Sequence, residues 1–380
     1  MFHIYCFLLF CYVLIRLILP LHIYWPYRTV IGLALLMGAM NRYLCQLLFG
    51  DMFSPELPGA VVLGAGALMG TVLFAAALGL AADAAAVVIL AARGKASASQ
   101  WLRSARIVAL AAGSLLACTA AYNGQKPPAV TEVDVTLQDL PPELEGLRIA
   151  QLSDLHVSRL LGKKWLHDVV VRANALNADA MVITGDLIDG YVPVRDMDVS
   201  PLSELRATHG VFVALGNHEY YFGSVAWTAK FRAQGMHVLI NEHAAIERGG
   251  RRLIIAATSD EAAVKYGGEM PDPAKALRGV GADQPIVLLR HRPNGVFDSE
   301  RLGVDLQLAG HTHGGMIWGV DRVIANANDG MVSGMYQRGA TQVYVNNGTG
   351  VWNGFPLRLG RPAEITVFTL VSGRSNTSDT

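Results

Sequence analysis

The sequence predicts an α/β fold, two stacked β-sheets with helices outside, preceded by an all-α transmembrane region. Three observations carry this prediction. Apolar runs crowd the first 126 residues, ten or more short strands follow in the remainder, and polar clusters stand directly after several of those strands.

The 380 residues suffice for one large domain and an accessory region. Formal net charge is zero, but residues 1–126 carry 8 Lys+Arg against 3 Asp+Glu, leaving 23 against 28 for the rest. A mildly acidic C-terminal part excludes nucleic acid as the default partner. The positive mean hydropathy of +0.32 signals membrane residence for part of the chain. Cys6, Cys11, Cys45 and Cys118 all fall in the apolar part without zinc-type spacing, so cysteine usage is silent on compartment.

Within residues 1–126, four apolar runs are expected to be spans: 3–24, about 28–49, about 60–92 and about 105–122. A bilayer crossing takes roughly 20 residues. No small-residue cleavage site follows the first run, which argues against a cleaved leader. The segment RGKASASQWLRSAR (93–106) carries Arg93, Lys95, Arg103 and Arg106 and no acid, whereas GDMFSPELPG (50–59) has two acids and no base. Positive-inside then puts 93–106 in the cytoplasm. The expectation is a multi-pass protein of the inner (plasma) membrane with its C-terminal domain periplasmic or extracellular. Arg16, Arg42 and Asp83 are read as snorkelling or helix-end residues, and the Gly64, Gly66, Gly70 pattern as close helix packing.

Residues 127–146 form a linker and first strand: Pro127-Pro128 ends the helical pattern, VTEVDVTL alternates like a strand, and Pro141-Pro142 marks a turn. The main domain is expected over 147–372, followed by a disordered tail over 373–380. A βα rhythm opens it. LRIAQLS (147–153), AMVIT (180–184) and VFVAL (211–215) read as strands, 163–178 and 224–234 as helices, and HVLI, RRLIIAAT, PIVLLR, DLQLA and QVYVNN as further strands. Nearly continuous apolar strands imply sheets covered on both faces, and ligands of open α/β sheets collect beyond the carboxyl ends of strands.

At those ends stand Asp154-Leu-His156, Gly185-Asp186-Leu-Ile-Asp189, Gly216-Asn217-His218-Glu219, His291 and Gly310-His311-Thr-His313. Each offers oxygen or imidazole ligands. Paired histidines between glycines, as in Gly310–Gly315, suit little except metal binding. Phosphate ester hydrolysis needs a nucleophile at neutral pH and compensation for charge on the phosphoryl oxygens, which two divalent ions roughly 3.5–4 Å apart supply through a bridging hydroxide. Such a pair needs a bridging carboxylate, and Asp186 is placed to provide one. Without a thiolate, the donor set favours Mn, Fe or Zn.

These clusters resemble the calcineurin-like metallophosphoesterase superfamily, whose pattern is Asp-x-His, Gly-Asp-x-x-Asp, Gly-Asn-His-Asp/Glu, a lone His and Gly-His-x-His. The resemblance covers about residues 146–370. Gly-Asn-His-Glu-Tyr-Tyr, Gly-His-Thr-His-Gly-Gly and the closing Pro-Leu-Arg-Leu-Gly look like its membrane-associated bacterial subgroup, which includes relatives acting on phospholipids or UDP-diacylglucosamine. The resemblance implies a double β-sandwich flanked by helices, the superfamily's four-layer fold. It implies a first metal held by Asp154, His156, Asp186 and His313, and a second by Asp186, Asn217, His291 and His311. His218 would bind the scissile phosphate and stabilise the transition state or protonate the leaving oxygen, and Asp189 would orient His218 or a ligand. His291 rests on its Leu-x-His-x-Pro setting. Met316 departs from the subgroup, where Gln commonly follows the Gly-Gly pair, and this leaves the inherited substrate open.

His167, His209, His237 and His243 are expected to be structural or surface residues. Trp318, Trp352, Phe355 and Arg358 are candidates to rim the site. The reading is a membrane-anchored dinuclear phosphohydrolase acting on a phosphoester, with phospholipids or a lipid-linked nucleotide as the substrates that location favours; the sequence leaves the oligomeric state open. A non-catalytic metal- and phosphate-binding sensor or scaffold is the rival. Loss of a ligand or of His218 would mark it, and none is lost.

Overall fold

The computed structural model describes residues 2–373, so the predicted tail lies, from residue 374 onward, outside the described residues. The chain divides into two units: residues 1–125 with Asn353–Leu359, and residues 126–352 with 360–380.

The first unit is helical. It contains α1 (Phe2–Val13) continued by a π turn over Leu14–Ile18, α2 (Trp25–Ala39), α3 (Asn41–Phe49) and α4 (Gly59–Gly124). The four expected spans are not four uninterrupted helices. The first run is helical only to Ile18, because Pro20 has no backbone N–H to continue the ladder. The second bends by 67° between α2 and α3. The third and fourth share α4, which is broken at Gly94 (φ 82°, ψ 175°). There the chain folds back: Trp101 Nε1 donates to Ala82 O at 3.1 Å, and Gly113 and Ala117 lie against Ala75 and Gly70. Residues 95–106, read as a loop, are therefore helical, and the reversal is compressed to a single glycine in a conformation that L side chains avoid. By length and composition, α4 among the described residues is long and apolar enough to cross a membrane, as is the bent α2–α3 pair if it counts as one span.

The second unit carries twelve strands among its described residues: β1 (Ala129–Leu137), β2 (Arg148–Leu152), β3 (Ala180–Thr184), β4 (Val211–Ala214), β5 (His237–Leu239), β6 (Glu242–Arg248), β7 (Arg251–Ala257), β8 (Ile286–Leu289), β9 (Leu306–Ala309), β10 (Gly334–Arg338), β11 (Thr341–Val345) and β12 (Glu364–Ser372). They form two six-stranded sheets, ordered β1-β12-β2-β3-β4-β5 and β10-β11-β9-β8-β7-β6. β2 through β5 run parallel, as do β7, β8, β9 and β11.

The main core lies between the sheets. Ile149, Val182 and Phe212 of one face meet Ile255, Val287, Leu289, Leu306 and Leu308 of the other. Outer faces are covered by helices; Ile254, Ala256 and Leu288 contact Ala276, while Val343 and Val345 contact Val296. Both faces of the inner strands are dry, which is why these strands read as continuous apolar runs. The layering is the predicted double sandwich. A buried amide joins the sheets beside the site: Gln151 Nε2 of β2 donates to Ala309 O of β9 at 3.1 Å. Three strands were not predicted: β6, β10 and β12. β12 inserts between β1 and β2, parallel to one and antiparallel to the other.

Candidate metal centre

The carboxyl ends of β2, β3 and β4 in one sheet face those of β8 and β9 in the other, and every predicted ligand follows one of these five strands. Three groups of side chains bring metal-ligating atoms within reach of one another: Asp154, His156 and His313; Asp186, His291 and His311; and His156, Asp189 and His218. Five of these residues leave their strands in the left-handed region, with φ of 52° at Asp154, 45° at His156, 53° at Asp186, 67° at His311 and 49° at His313. Such backbone is costly for non-glycine residues and gathers at functional sites. Neighbouring loops hold it in place: Asp154 N donates to Gly185 O and His156 N to Asp186 O, both at 3.0 Å.

In the first group, His156 Nδ1 stands 3.0 Å from Asp189 Oδ1, so the ring proton belongs there and Nε2 is left as an acceptor. That Nε2 lies 3.1 Å from His313 Nε2, which is 3.4 Å from Asp154 Oδ1. Asp154 is itself fixed by a chain of buried hydroxyls. Gln151 donates to Thr184 Oγ1, Thr184 to Ser153 Oγ, and Ser153 to Asp154 Oδ2.

In the second group, His291 Nδ1 donates to Thr184 O at 2.7 Å. Its Nε2 therefore turns a lone pair towards Asp186 Oδ2 at 3.2 Å, Asn217 Oδ1 at 3.1 Å and His311 Nδ1 at 3.2 Å. Four acceptor atoms converging in a buried site need a proton or a cation between them. Burial opposes charge on His291, but Asp186 outweighs it and lifts the imidazole to about 10. The same negative potential suits a divalent ion. Asp186 Oδ2 also lies 3.8 Å from His156 Nε2, which sets this carboxylate between the two groups. With oxygen and imidazole donors only, the site can hold hard or borderline divalent metals.

His218 stands beside both groups. Its Nδ1 is 2.6 Å from Asp189 Oδ1 and its Nε2 3.9 Å from Asp186 Oδ2. Burial opposes the imidazolium, but Asp186 and Asp189 raise it to about 9. Burial likewise opposes ionisation of Asp189, and His156 and His218 overcome it and hold the carboxyl at about 2. Trp352 meets the His218 ring edge-on at 6.1 Å, and Tyr221 is 5.3 Å away.

Two glycines are dictated by this crowding. A Cβ at Gly216 would overlap the Asp186 carboxylate, and one at Gly185 (φ 88°) would meet Gly216 N at 2.5 Å and His291 Nδ1 at 2.7 Å.

The residues 147–315 match the model of the calcineurin-like phosphoesterase family. Among curated relatives, a transmembrane protein with metallophosphoesterase domain from Danio rerio is 34% identical over 68% of this chain and 61% of its own length. Its Bos taurus counterpart is 36% identical over 67% and 59%. The uncharacterized metallophosphoesterase YkuE of Bacillus subtilis (strain 168) is 32% identical over 64% of this chain and 85% of its own length.

The chain belongs to the calcineurin-like phosphoesterase family.

It spans about 60% of the length of the two vertebrate relatives. All nine residues predicted for a metallophosphoesterase site, Asp154, His156, Asp186, Asp189, Asn217, His218, His291, His311 and His313, come together in one cluster, buried except for the half-buried His311. Among the four rim candidates, Trp352 meets His218, Trp318 is 75% exposed, and Phe355 and Arg358 fall in the Asn353–Leu359 segment grouped with the helical unit. The four other histidines join no metal group among the described residues. His237 stacks on Phe212, His243 meets Ala276 O, and His167 is half exposed.

Sequence reasoning passed over the part Glu219 plays in this phosphoesterase site. Its buried carboxyl accepts from Asp186 N at 3.0 Å, Leu187 N at 2.7 Å and Gly216 N at 2.7 Å, clamping the β3 and β4 loops together. Burial, then Asp186, push it up to about 8, against these donors. The residue was visible as the end of Gly-Asn-His-Glu, but the backbone groups it serves were not. Ser153 and Thr184, which fix Asp154 and His291, carried no sequence signal beyond their place at strand ends.

Proposed function

We propose that the chain is a membrane-anchored phosphohydrolase that cleaves a phosphoester with two divalent ions, Mn, Fe or Zn. One ion is held by Asp154, His156, Asp186 and His313, the other by Asp186, Asn217, His291 and His311. The observation that carries this reading is the convergence of carboxylate, imidazole and amide ligand atoms on both sides of Asp186 Oδ2. Ions bound there would compensate phosphoryl charge and make a water nucleophilic at neutral pH.

The chain's own groups supply the rest. His218, cationic between Asp186 and Asp189, binds a phosphoryl oxygen and can give its Nε2 proton to the leaving oxygen. Asp189 is a positioning residue that fixes the tautomers of both His156 and His218. Glu219 and the Ser153 hydroxyl chain keep the ligand loops in register.

Membrane anchoring is supported by the helical unit, whose large apolar side chains face outward, with Val30, Val88 and Leu115 each 65% exposed or more. The transmembrane naming of the vertebrate relatives agrees with it. The basic 93–106 segment favours the cytoplasmic side for the Gly94 reversal, which puts the second unit outside the inner membrane. A domain tethered in this way favours a phospholipid headgroup or lipid-linked nucleotide as substrate.

The test uses the full chain, purified in neutral detergent with Mn, on bis-p-nitrophenyl phosphate. Hydrolysis with about two ions bound, abolished in His218→Ala with metal retained, is expected. A fully metallated chain inactive with every divalent metal tried would refute the reading.

A further inference from the structure

We propose that the helical unit holds a site for an anionic glycerophospholipid, with the phosphate at Arg103 and Arg106 and an acyl chain in the cavity beneath them. The proposal rests on the membrane reading above and uses residues of the helical unit alone.

A cavity of about 660 Å³ opens between the Pro20–Ile23 turn, α2 and both arms of α4. This is the size of small-molecule sites, roughly 300–1,000 Å³. Leu35, Leu68, Ile107 and Leu110 make its walls apolar, and its charged lining is basic: Arg103 and Arg106, with His22 beside them. Among the described residues neither arginine has a hydrogen-bond or ion-pair partner. Asp83, the acid of the neighbouring arm, is already engaged by Arg16 at 2.7 Å and Tyr12 at 2.9 Å.

The depth of this mouth is marked independently. The non-helical turn after Ile18 leads into Tyr24, Trp25 and Tyr27, which are 67%, 62% and 65% exposed. Exposed amphipathic rings of this kind belong at the headgroup level of a bilayer. From Arg103 to Ser114 the helix descends about 16 Å at 1.5 Å per residue, room for much of an acyl chain.

The two halves of the cavity select one chemistry. A zwitterionic headgroup brings its own cation beside the phosphate and offsets the pull of two guanidinium groups, an uncharged lipid offers them no anion, and a free anion would leave apolar walls wet. Phosphate above and hydrocarbon below satisfies both, and Arg is suited to bidentate phosphate contacts.

The experiment is native mass spectrometry of the full chain in neutral detergent with equimolar phosphatidylglycerol and phosphatidylcholine. Each basic group near a headgroup contributes enough for a preference on the order of tenfold for the pair. Phosphatidylglycerol adducts should therefore dominate on the wild type, and equal occupancy by the two lipids would overturn the proposal. R103Q/R106Q should lose the preference while hydrolysing bis-p-nitrophenyl phosphate at the wild-type rate. L110W, which fills the apolar half, should lose both adducts. Retention of the preference in both variants would also overturn it. Carbonate extraction separates this result from the membrane reading: a chain stripped from membranes by carbonate refutes the anchoring itself, whereas an integral chain without lipid preference refutes the lipid site alone.

Discussion

Replacing Glu219 by Ala is the sharpest perturbation of the site that touches no proposed ligand. Three backbone N–H groups, of Asp186, Leu187 and Gly216, lose their acceptor at once. Glu219 is fully buried, so solvent reaches these groups only if the loops part. Each buried donor left without a partner costs about 1–3 kcal/mol. Partial relaxation and entry of one water bring the expected loss to about 3–6 kcal/mol, a large share of the roughly 5–15 kcal/mol that holds a typical domain together. The effect should be local first. Asp186 carries its carboxylate on one of the released amides, and Asn217 follows Gly216 directly, so the metal-binding geometry opens before the sheets do. Urea denaturation of the metal-free chain gives the stability term, and elemental analysis after desalting gives the metal term. Glu219→Gln, which keeps one acceptor oxygen, should fall between wild type and Ala in both. A Glu219→Ala chain within 1 kcal/mol of wild type and with undiminished metal would refute the clamp and the reasoning that assigns it.

Other outcomes follow from the same geometry. Gly216→Ala forces a methyl into the Asp186 carboxylate, so metal content should drop with the fold retained, as read by elemental analysis beside circular dichroism. His218→Ala should lower kcat by about 10²–10⁴-fold, the ordinary worth of a positioned acid–base group, with metal content unchanged; a loss confined to KM would contradict its assigned step. Asp189→Asn removes the carboxylate shared by His156 and His218, so it should reduce both metal affinity and kcat, whereas a pure stability effect would contradict its positioning role. Chelation should lower the melting temperature, because ions that bind only the folded state at 100-fold over Kd contribute about 2.7 kcal/mol, or roughly 5–10 °C for a domain of this size.

The site was legible because its chemistry is written in side chains and its placement in apolar runs. Asp154, Asp186 and Asn217 each follow a strand that is buried on both faces, and the inner strands β3 and β4 could be bounded to within a residue from the sequence. What holds the ligands was not legible. Left-handed backbone at Asp154, His156, Asp186, His311 and His313 is imposed by bonds from other loops, and no local preference of Asp or His announces five such conformations. β12 was missed because its meaning is non-local: it separates β1 from β2 by pairing with residues more than 200 positions away. In the helical unit, hydropathy found the apolar runs but not their breaks. Pro20 was visible as a helix breaker, whereas the 67° bend between α2 and α3 contains neither Pro nor a left-handed residue. Gly94 lay inside a stretch whose charges suggested a loop, while its Ala, Lys, Gln, Leu and Arg content favours the helix found there.

The central claim is that Asp186 is shared by two metal ions. Elemental analysis of the purified full chain against Asp186→Asn tests it most directly. The account predicts about two ions per wild-type chain and the loss of both in the variant, because both proposed ligand sets include this carboxylate. A variant that keeps one ion at full occupancy, or an active wild type that never binds more than one, would contradict it.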